Sequence, residues 1–99
     1  MTSRHYTEDR QRREEIINTI GIGVVVDRFV VDKGHRNGPE RHEITSTGII
    51  VIYNNRTNKM VTKLIARPGQ IRRYYENGIA PRQLIERAIE NTRHGYNNA

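Results

Sequence analysis

The stretch RHEITSTGIIVIYNNRTNKMVTKLIA, residues 41–66, decides the fold of this 99-residue chain. Its apolar run, Ile49-Ile50-Val51-Ile52-Tyr53, is the strongest in the sequence. Runs of β-branched and aromatic residues favour a strand. The polar segment from Asn54 to Asn58 has the composition of a turn, and Lys59 to Ala66 reads as a returning strand. The stretch therefore predicts an antiparallel hairpin.

Two further observations extend the sheet. The strand that enters the hairpin is predicted to begin near Arg41 and to continue through Gly48 to Tyr53, with the glycine marking a kink or a close backbone approach. An earlier strand is predicted over residues 24–32, because that segment is rich in valine and contains a phenylalanine. Asp27 interrupts its apolar face, which indicates a bulge or an edge position.

Helices are predicted near both ends of the chain. Thr7 can cap a first helix that runs to Ile20, and glycines follow it. Pro81 suits the first position of a second helix that runs to Arg93. Between the hairpin and this helix, Pro68-Gly69 predicts a type II turn, and residues 70–75 are a candidate fourth strand.

These elements predict one small domain, residues 1–99, of the α+β class. It has an N-terminal helix, a three- to four-stranded mainly antiparallel sheet and a C-terminal helix, and we expect the helices to lie on one side of the sheet. The ends, residues 1–6 and 96–99, are expected to be disordered.

The charge distribution predicts the class of partner. From Ile44 to Tyr75 the chain has 32 residues without Asp or Glu but with six cations, and its formal net charge is +6. We expect folding to gather these cations on one sheet surface. The natural counterpart of such a surface is a polyphosphate, so RNA or DNA is the expected partner, bound with strong salt dependence.

Several classes of chemistry lack their sequence signals. The chain has no cysteine, so it has no disulfide, thiolate metal site or cysteine nucleophile. His35 and His42 have no third ligand at a suitable spacing, and no nucleotide-binding glycine motif is present, so we expect neither metal nor cofactor. No apolar run is long enough for a membrane span and the N-terminus is too polar for a signal peptide, which favours a cytoplasmic location.

The loop Lys33-Gly34-His35-Arg36 and the following pair Arg41-His42 form the first candidate site. Cations around a glycine-containing loop can hold a phosphodiester, and a histidine that titrates near neutral pH can transfer a proton. We therefore consider His35 or His42 as the proton-transfer group and Arg41 as a phosphate ligand. The alternative is an exposed loop whose composition keeps it solvated.

The second candidate site follows the last predicted strand. Arg67 is expected at the strand end, where a guanidinium can bind two phosphate oxygens. Arg72-Arg73-Tyr74-Tyr75 combines cations with rings that can stack on bases, although one tyrosine is expected to pack in the core. The candidate nucleic-acid-binding residues are Lys33, Arg36, Lys63, Gln70, Arg72, Arg73 and Tyr74.

The order of elements over residues 10–75, and above all the hairpin from Gly48 to Thr62, resembles the small ribonuclease fold of barnase and the RelE-type toxins. The resemblance implies metal-independent RNA cleavage by attack of the ribose 2′-hydroxyl on the adjacent phosphate. It implies site positions at His35, Arg41, His42, Thr62 and Arg67. Barnase-like sites also use a glutamate, for which Glu40 and Glu43 are the available residues, and the fold does not require the C-terminal helix.

Three functions remain open from the sequence. The first is an endoribonuclease of the toxin type. The second is a nucleic-acid-binding regulator of phage or mobile-element origin, in which the same cations contact phosphate without catalysis. The third is an inhibitor that binds another protein by pairing with an edge strand of the hairpin. A homodimer also remains open, because the low apolar content predicts a small core that a second copy could extend.

Overall fold

The computed structural model describes residues 3–34, 36–76 and 79–96, with side chains from Asp9 onward. It confirms the α+β fold with an N-terminal helix, a four-stranded antiparallel sheet and C-terminal helices. The strands lie in the order β1-β2-β3-β4. The elements are α1 (Ser3–Ile20), β1 (Val25–Val31), β2 (Glu40–Thr45), β3 (Ile49–Asn54), β4 (Met60–Ile65), α2 (Pro68–Tyr74) and α3 (Arg82–Arg93).

The long strand predicted from Arg41 to Tyr53 is two strands, β2 and β3, joined by a tight turn. Gly48 allows the reversal because its φ of 80° lies in the left-handed region, which side chains with a Cβ disfavour. The Gly48 N–H donates to the Thr45 carbonyl at 3.0 Å and thereby closes the turn. Of the two features expected at this glycine, the kink is a complete chain reversal, and the close approach to the backbone is made by the Asn91 side chain.

The segment predicted as a type II turn and a fourth strand is the helix α2. Pro68 begins the helix, and the Gln70 side chain accepts a hydrogen bond from the Arg67 N–H at 2.8 Å. Ile71 is fully buried against the sheet and α3. The sheet has four strands, but the additional strand comes from the division of residues 41–53 into β2 and β3 and not from residues 70–75.

Helices cover both faces of the sheet, so the predicted one-sided packing is wrong. On one face, Ile50 and Ile52 pack in a cluster with α2 and α3, whereas on the other Ile49 and Val51 pack with Ile17 of α1. The cause is the composition of β3, which is apolar at both alternating parities. A strand of this kind must be covered on both sides.

The N-terminal helix begins earlier in the chain than predicted. Helix α1 begins at Ser3, before the predicted start at Thr7, and Tyr96 packs beside the cluster formed by α1 and the sheet. Residues 1–2 and 97–99 lie outside the described residues. No helix among residues 3–34, 36–76 and 79–96 combines the length and apolarity needed to cross a membrane.

We expect Gly48→Ala to destabilise the domain more than Gly21→Ala, which is the matched control. The two glycines have φ angles of 80° and 82°, but a Cβ on Gly48 would lie 2.9 Å from Asn91 Nδ2, whereas a Cβ on Gly21 would meet no atom within 4 Å. The left-handed backbone costs a residue with a Cβ about 1–2 kcal/mol. Displacing Asn91 also weakens its hydrogen bond to the Thr47 carbonyl, which adds about 1 kcal/mol.

Chemical denaturation of the two variants measures this difference in the free energy of unfolding. Equal destabilisation by both substitutions would show that the contact between Gly48 and Asn91 is unimportant for stability.

Candidate active site

A cavity of about 430 Å³ opens on the sheet face that carries α2. All four strands or their ends contribute to it, and α2 forms one wall. Val31, Ile52 and Leu64 make its wall partly apolar, while the remaining lining side chains are polar or charged. Those polar residues are Lys33, His42, Gln70, Arg73 and Tyr74. Five of the predicted site residues therefore meet in one cavity.

His42 is held at both of its ring nitrogens. Its Nδ1 lies 2.6 Å from the Tyr74 hydroxyl oxygen, and its Nε2 lies 3.1 Å from Glu40 Oε1. A carboxylate can only accept, so the neutral imidazole places its proton on Nε2, and Tyr74 then donates its hydroxyl proton to Nδ1. Tyr74, His42 and Glu40 thus form a continuous hydrogen-bonded chain, which we call the proton relay.

The alternation of side chains along β2 explains the pairing of Glu40 with His42. Residues two apart in a strand project from the same face, so both side chains face α2. His42 is only 9% exposed, and of its two partners Tyr74 lines the cavity whereas Glu40 lines a neighbouring recess. The sequence analysis left both Glu40 and Glu43 open; the alternation along β2 places Glu40 on the face of His42 and Glu43 on the other face.

Tyr74 is the last residue of α2 and leans over β1 and β2. Its ring stacks on Phe29 with centroids 5.2 Å apart and meets the edge of the His42 ring at 5.5 Å. Burial, with a smaller contribution from the charge of Glu40, raises the pKa of Tyr74 above its ordinary value. The phenol is therefore protonated at neutral pH and available as a hydrogen-bond donor.

Lys33 and Arg73 provide the positive charge of the cavity. In the described part of the chain neither makes a salt bridge, so their charges are not neutralised by a neighbouring carboxylate. Gln70 uses its side-chain oxygen to cap α2, which leaves its amide nitrogen as a donor at the wall. This arrangement suits an anion bound next to the proton relay.

Arg41 does not belong to this site, although it is adjacent to His42 in sequence. It projects from the opposite face of the sheet, where its Nε donates to Glu43 at 2.9 Å. Its other nitrogens donate to Asn55 and Asn58, and its guanidinium lies 4.6 Å from the ring centroid of Tyr53. Every part of the guanidinium is thus engaged, and its role is to fix the hairpin to β2.

The remaining predicted cations are dispersed, so the expected single cationic surface is wrong. Lys63 lines a groove beneath α1, on the other face of the sheet, and the uncharged Thr62 borders that groove and is not part of the cavity lining. Arg67 and Arg72 are exposed near α2 and do not line the cavity. Arg36 lines a neighbouring recess. His35 lies outside the described residues.

Sequence reasoning missed the apolar part of the cavity and the relay itself. Val31, Ile52 and Leu64 reach the cavity because three separate strands align them, and no local signal records that alignment. The spacing of Glu40 and His42, two apart in a strand, is the one signal that could have indicated the relay. Among residues 3–34, 36–76 and 79–96, no three side chains of His, Asp or Glu converge as a metal site would require.

We expect the domain to lose stability at alkaline pH through Tyr74 and Tyr75. Burial is the main cause that raises the pKa of Tyr75 to about 12, and the nearby Asp27 carboxylate adds to it, although no hydrogen bond of good geometry joins them. The folded state holds these phenolic protons more tightly than the unfolded chain. The stabilisation is therefore complete below pH 10.0, the ordinary tyrosine value, and is lost as the pH rises through the raised pKa.

Denaturant unfolding at a series of pH values, with phenolate absorbance followed in parallel, measures this loss. Tyr75→Phe should reduce the alkaline decline relative to the native sequence. An alkaline decline of the same size in both proteins would contradict the assignment to Tyr75.

Comparisons of the chain with protein-family models, with curated proteins and with solved structures gave no match. The likeness of the hairpin to small ribonucleases therefore remains a prediction from its pattern. The functional interpretation depends on the chemistry and geometry of the cavity.

Proposed function

We propose that this domain is a metal-independent endoribonuclease in which the proton relay performs acid–base catalysis. One observation carries the proposal: Tyr74, His42 and Glu40 form a hydrogen-bonded chain at a cavity whose wall also contains Lys33 and Arg73. A proton-transfer group beside uncompensated cations is the combination that phosphodiester cleavage needs.

In the proposed reaction the ribose 2′-oxygen of RNA attacks the adjacent phosphorus. The 2′-hydroxyl gives its proton to the Tyr74 oxygen, while Tyr74 passes its own proton to His42 Nδ1. The imidazolium that forms is stabilised by the Glu40 carboxylate at Nε2. The bond between phosphorus and the 5′-oxygen then breaks, and the relay returns the proton to that oxygen. The products are a 2′,3′-cyclic phosphate and a 5′-hydroxyl, so atoms and protons balance.

The cations stabilise the charge that develops during this attack. Lys33 and Arg73 approach the cavity from the loop after β1 and from α2, so they can contact different oxygens of one phosphate. The free amide nitrogen of Gln70 can donate a further hydrogen bond. Donors held in a partly apolar cavity act more strongly on a developing charge than they would in water.

RNA is the preferred substrate in this proposal because the nucleophile is the 2′-hydroxyl, which DNA lacks. A nucleophile within the substrate and proton transfer by side chains together require no metal ion. This chemistry is also the one implied by the likeness of residues 10–75 to barnase and the RelE-type toxins.

Pairing of an exposed strand with another protein has less support. The apolar strand β3 is internal, with β2 and β4 bonded to its two sides. The edge strands β1 and β4 each carry a register irregularity, between Val25 and Asp27 and opposite Ile52 and Tyr53. Bulges and inward-facing charged residues such as Asp27 are features that discourage pairing at sheet edges.

Cleavage of a mixed RNA substrate in the presence of EDTA tests the catalytic proposal. Tyr74→Phe should lower the rate by about 10²- to 10⁴-fold, the usual contribution of general acid–base catalysis. Tyr75→Phe is the matched control, because Tyr75 is adjacent but does not line the cavity. Intact RNA with the native protein, or equal rates for Tyr74→Phe and the native protein, would contradict the proposal.

The same assay separates catalysis from binding without turnover. If the native protein binds RNA and leaves it intact, the domain is a nucleic-acid-binding module, and the relay has a structural role.

Binding of single-stranded RNA at several salt concentrations tests the cations. Arg73→Ala should weaken binding and reduce the slope of log K against log salt by about 0.7, the value expected for one lost contact to a single strand. Arg72→Ala, the neighbouring cation outside the cavity, should change the slope less. An equal effect of the two substitutions would indicate that RNA lies along the exposed side of α2 instead.

A further inference from the structure

A second recess, of about 260 Å³, adjoins the proton relay. Glu40 connects the two places, because it lines the recess and bonds His42 through Oε1. The other lining residues come from the loop before β2, from the end of β3 and from β4. They are Arg36, Asn37, Gly38, Asn54 and Val61. A ligand in the recess would therefore lie at the Glu40 end of the relay, on the other side of His42 from Tyr74.

The polar side chains of this recess differ in how much of their hydrogen-bonding capacity is used. Asn54 is engaged at both ends of its amide: its Oδ1 accepts from the Arg56 and Thr57 N–H groups, and its Nδ2 donates to the Asn37 carbonyl oxygen. The side chains of Arg36 and Asn37, by contrast, have no hydrogen-bond partner among the described residues. The recess therefore presents unused donors and acceptors beside a candidate catalytic group.

The backbone that carries these free side chains is fixed. The Asn37 carbonyl accepts from Asn54 Nδ2 at 3.3 Å, and the Pro39 carbonyl accepts from the Asn55 N–H at 3.0 Å. Gly38 is buried against Arg56, with a φ of 86°. The loop is thus attached to the turn between β3 and β4 at two points, and the Asn37 side chain is presented from a defined backbone.

We propose that this recess binds the base of a nucleotide that flanks the scissile phosphate, and that Asn37 determines the base preference. The proposal rests on the proposed endoribonuclease function and adds a specificity subsite to it. A side-chain amide offers one donor and one acceptor and so pairs with a base edge, as asparagine and glutamine do in nucleic-acid recognition. Val61 gives the recess an apolar contact, and Arg36 adds donors for a ring nitrogen or a carbonyl oxygen.

A base bound in this way must be unpaired, because its hydrogen-bonding edge faces the protein. Sequence-specific recognition of RNA is mostly of this kind, directed at single-stranded segments whose bases are accessible. The substrate class is therefore single-stranded RNA with a base preference at one position beside the cleaved bond.

The test uses short RNA substrates with one cleavable bond and each of the four bases in turn on either side of it. The native protein should discriminate between bases at one position by roughly 5- to 150-fold in kcat/KM, the range of one bidentate contact. Asn37→Ala should remove most of this discrimination. Asn37→Asp, which replaces a donor by an acceptor, should change the order of preference. Asn18→Ala, an exposed asparagine on α1, is the matched control.

The outcomes separate the two proposals. Cleavage by active Asn37 variants with an unchanged base preference would overturn the subsite and leave the ribonuclease function intact. The absence of cleavage of any substrate by the native protein would overturn both.

Discussion

The burial of β3 on both faces is the constraint on which the rest of this structure depends. Its residues alternate between the two helical layers, with Ile49 and Val51 against α1 and Ile50 and Ile52 against α2 and α3. Each buried side chain of this size contributes about 1.5–3 kcal/mol. In a domain of 99 residues these few contacts form much of the core. They also determine on which face of the sheet the partly apolar cavity forms.

The proton relay and the Arg41 network show how one strand serves two purposes. Glu40 and His42 project toward α2, where the cavity lies, while Arg41 and Glu43 project to the other face. Four consecutive polar residues are thus divided by the pleat into a candidate reactive pair and a pair that holds the hairpin in register. Residue type alone could not make this division, because an arginine beside a histidine is typical of both roles.

Local signals were sufficient for the parts of the fold that local interactions control. The end of α1 near Ile20, the hairpin around Asn54 and the irregularity near Asp27 were all predicted from short segments and are confirmed. Long-range effects account for the errors. Helix α2 depends on the burial of Ile71 beneath α3, and the turn at Gly48 is seated against Asn91, 43 positions further along the chain. Two-sided packing likewise depends on which helix reaches which face.

The same distinction applies to the site. His42, Lys33, Gln70, Arg73 and Tyr74 were chosen as single residues, and the fold brings them to one cavity. Arg41 and Lys63 were chosen on the same grounds, but their side chains lie on the other face of the sheet and do not reach this cavity. Charge composition predicts a class of partner, but only strand register and helix placement decide which charges lie together.

The short length of α2 has a consequence for the timing of any reaction at this cavity. Tyr74 is the final residue of a helix of seven residues, and terminal turns open far more readily than a domain unfolds. When that turn opens, the phenol leaves the imidazole while the sheet stays intact. The hydrogen-bonded chain then exists only in the molecules whose last turn of α2 is closed. The opening of that single turn would therefore limit the fraction of folded molecules that can react at any moment.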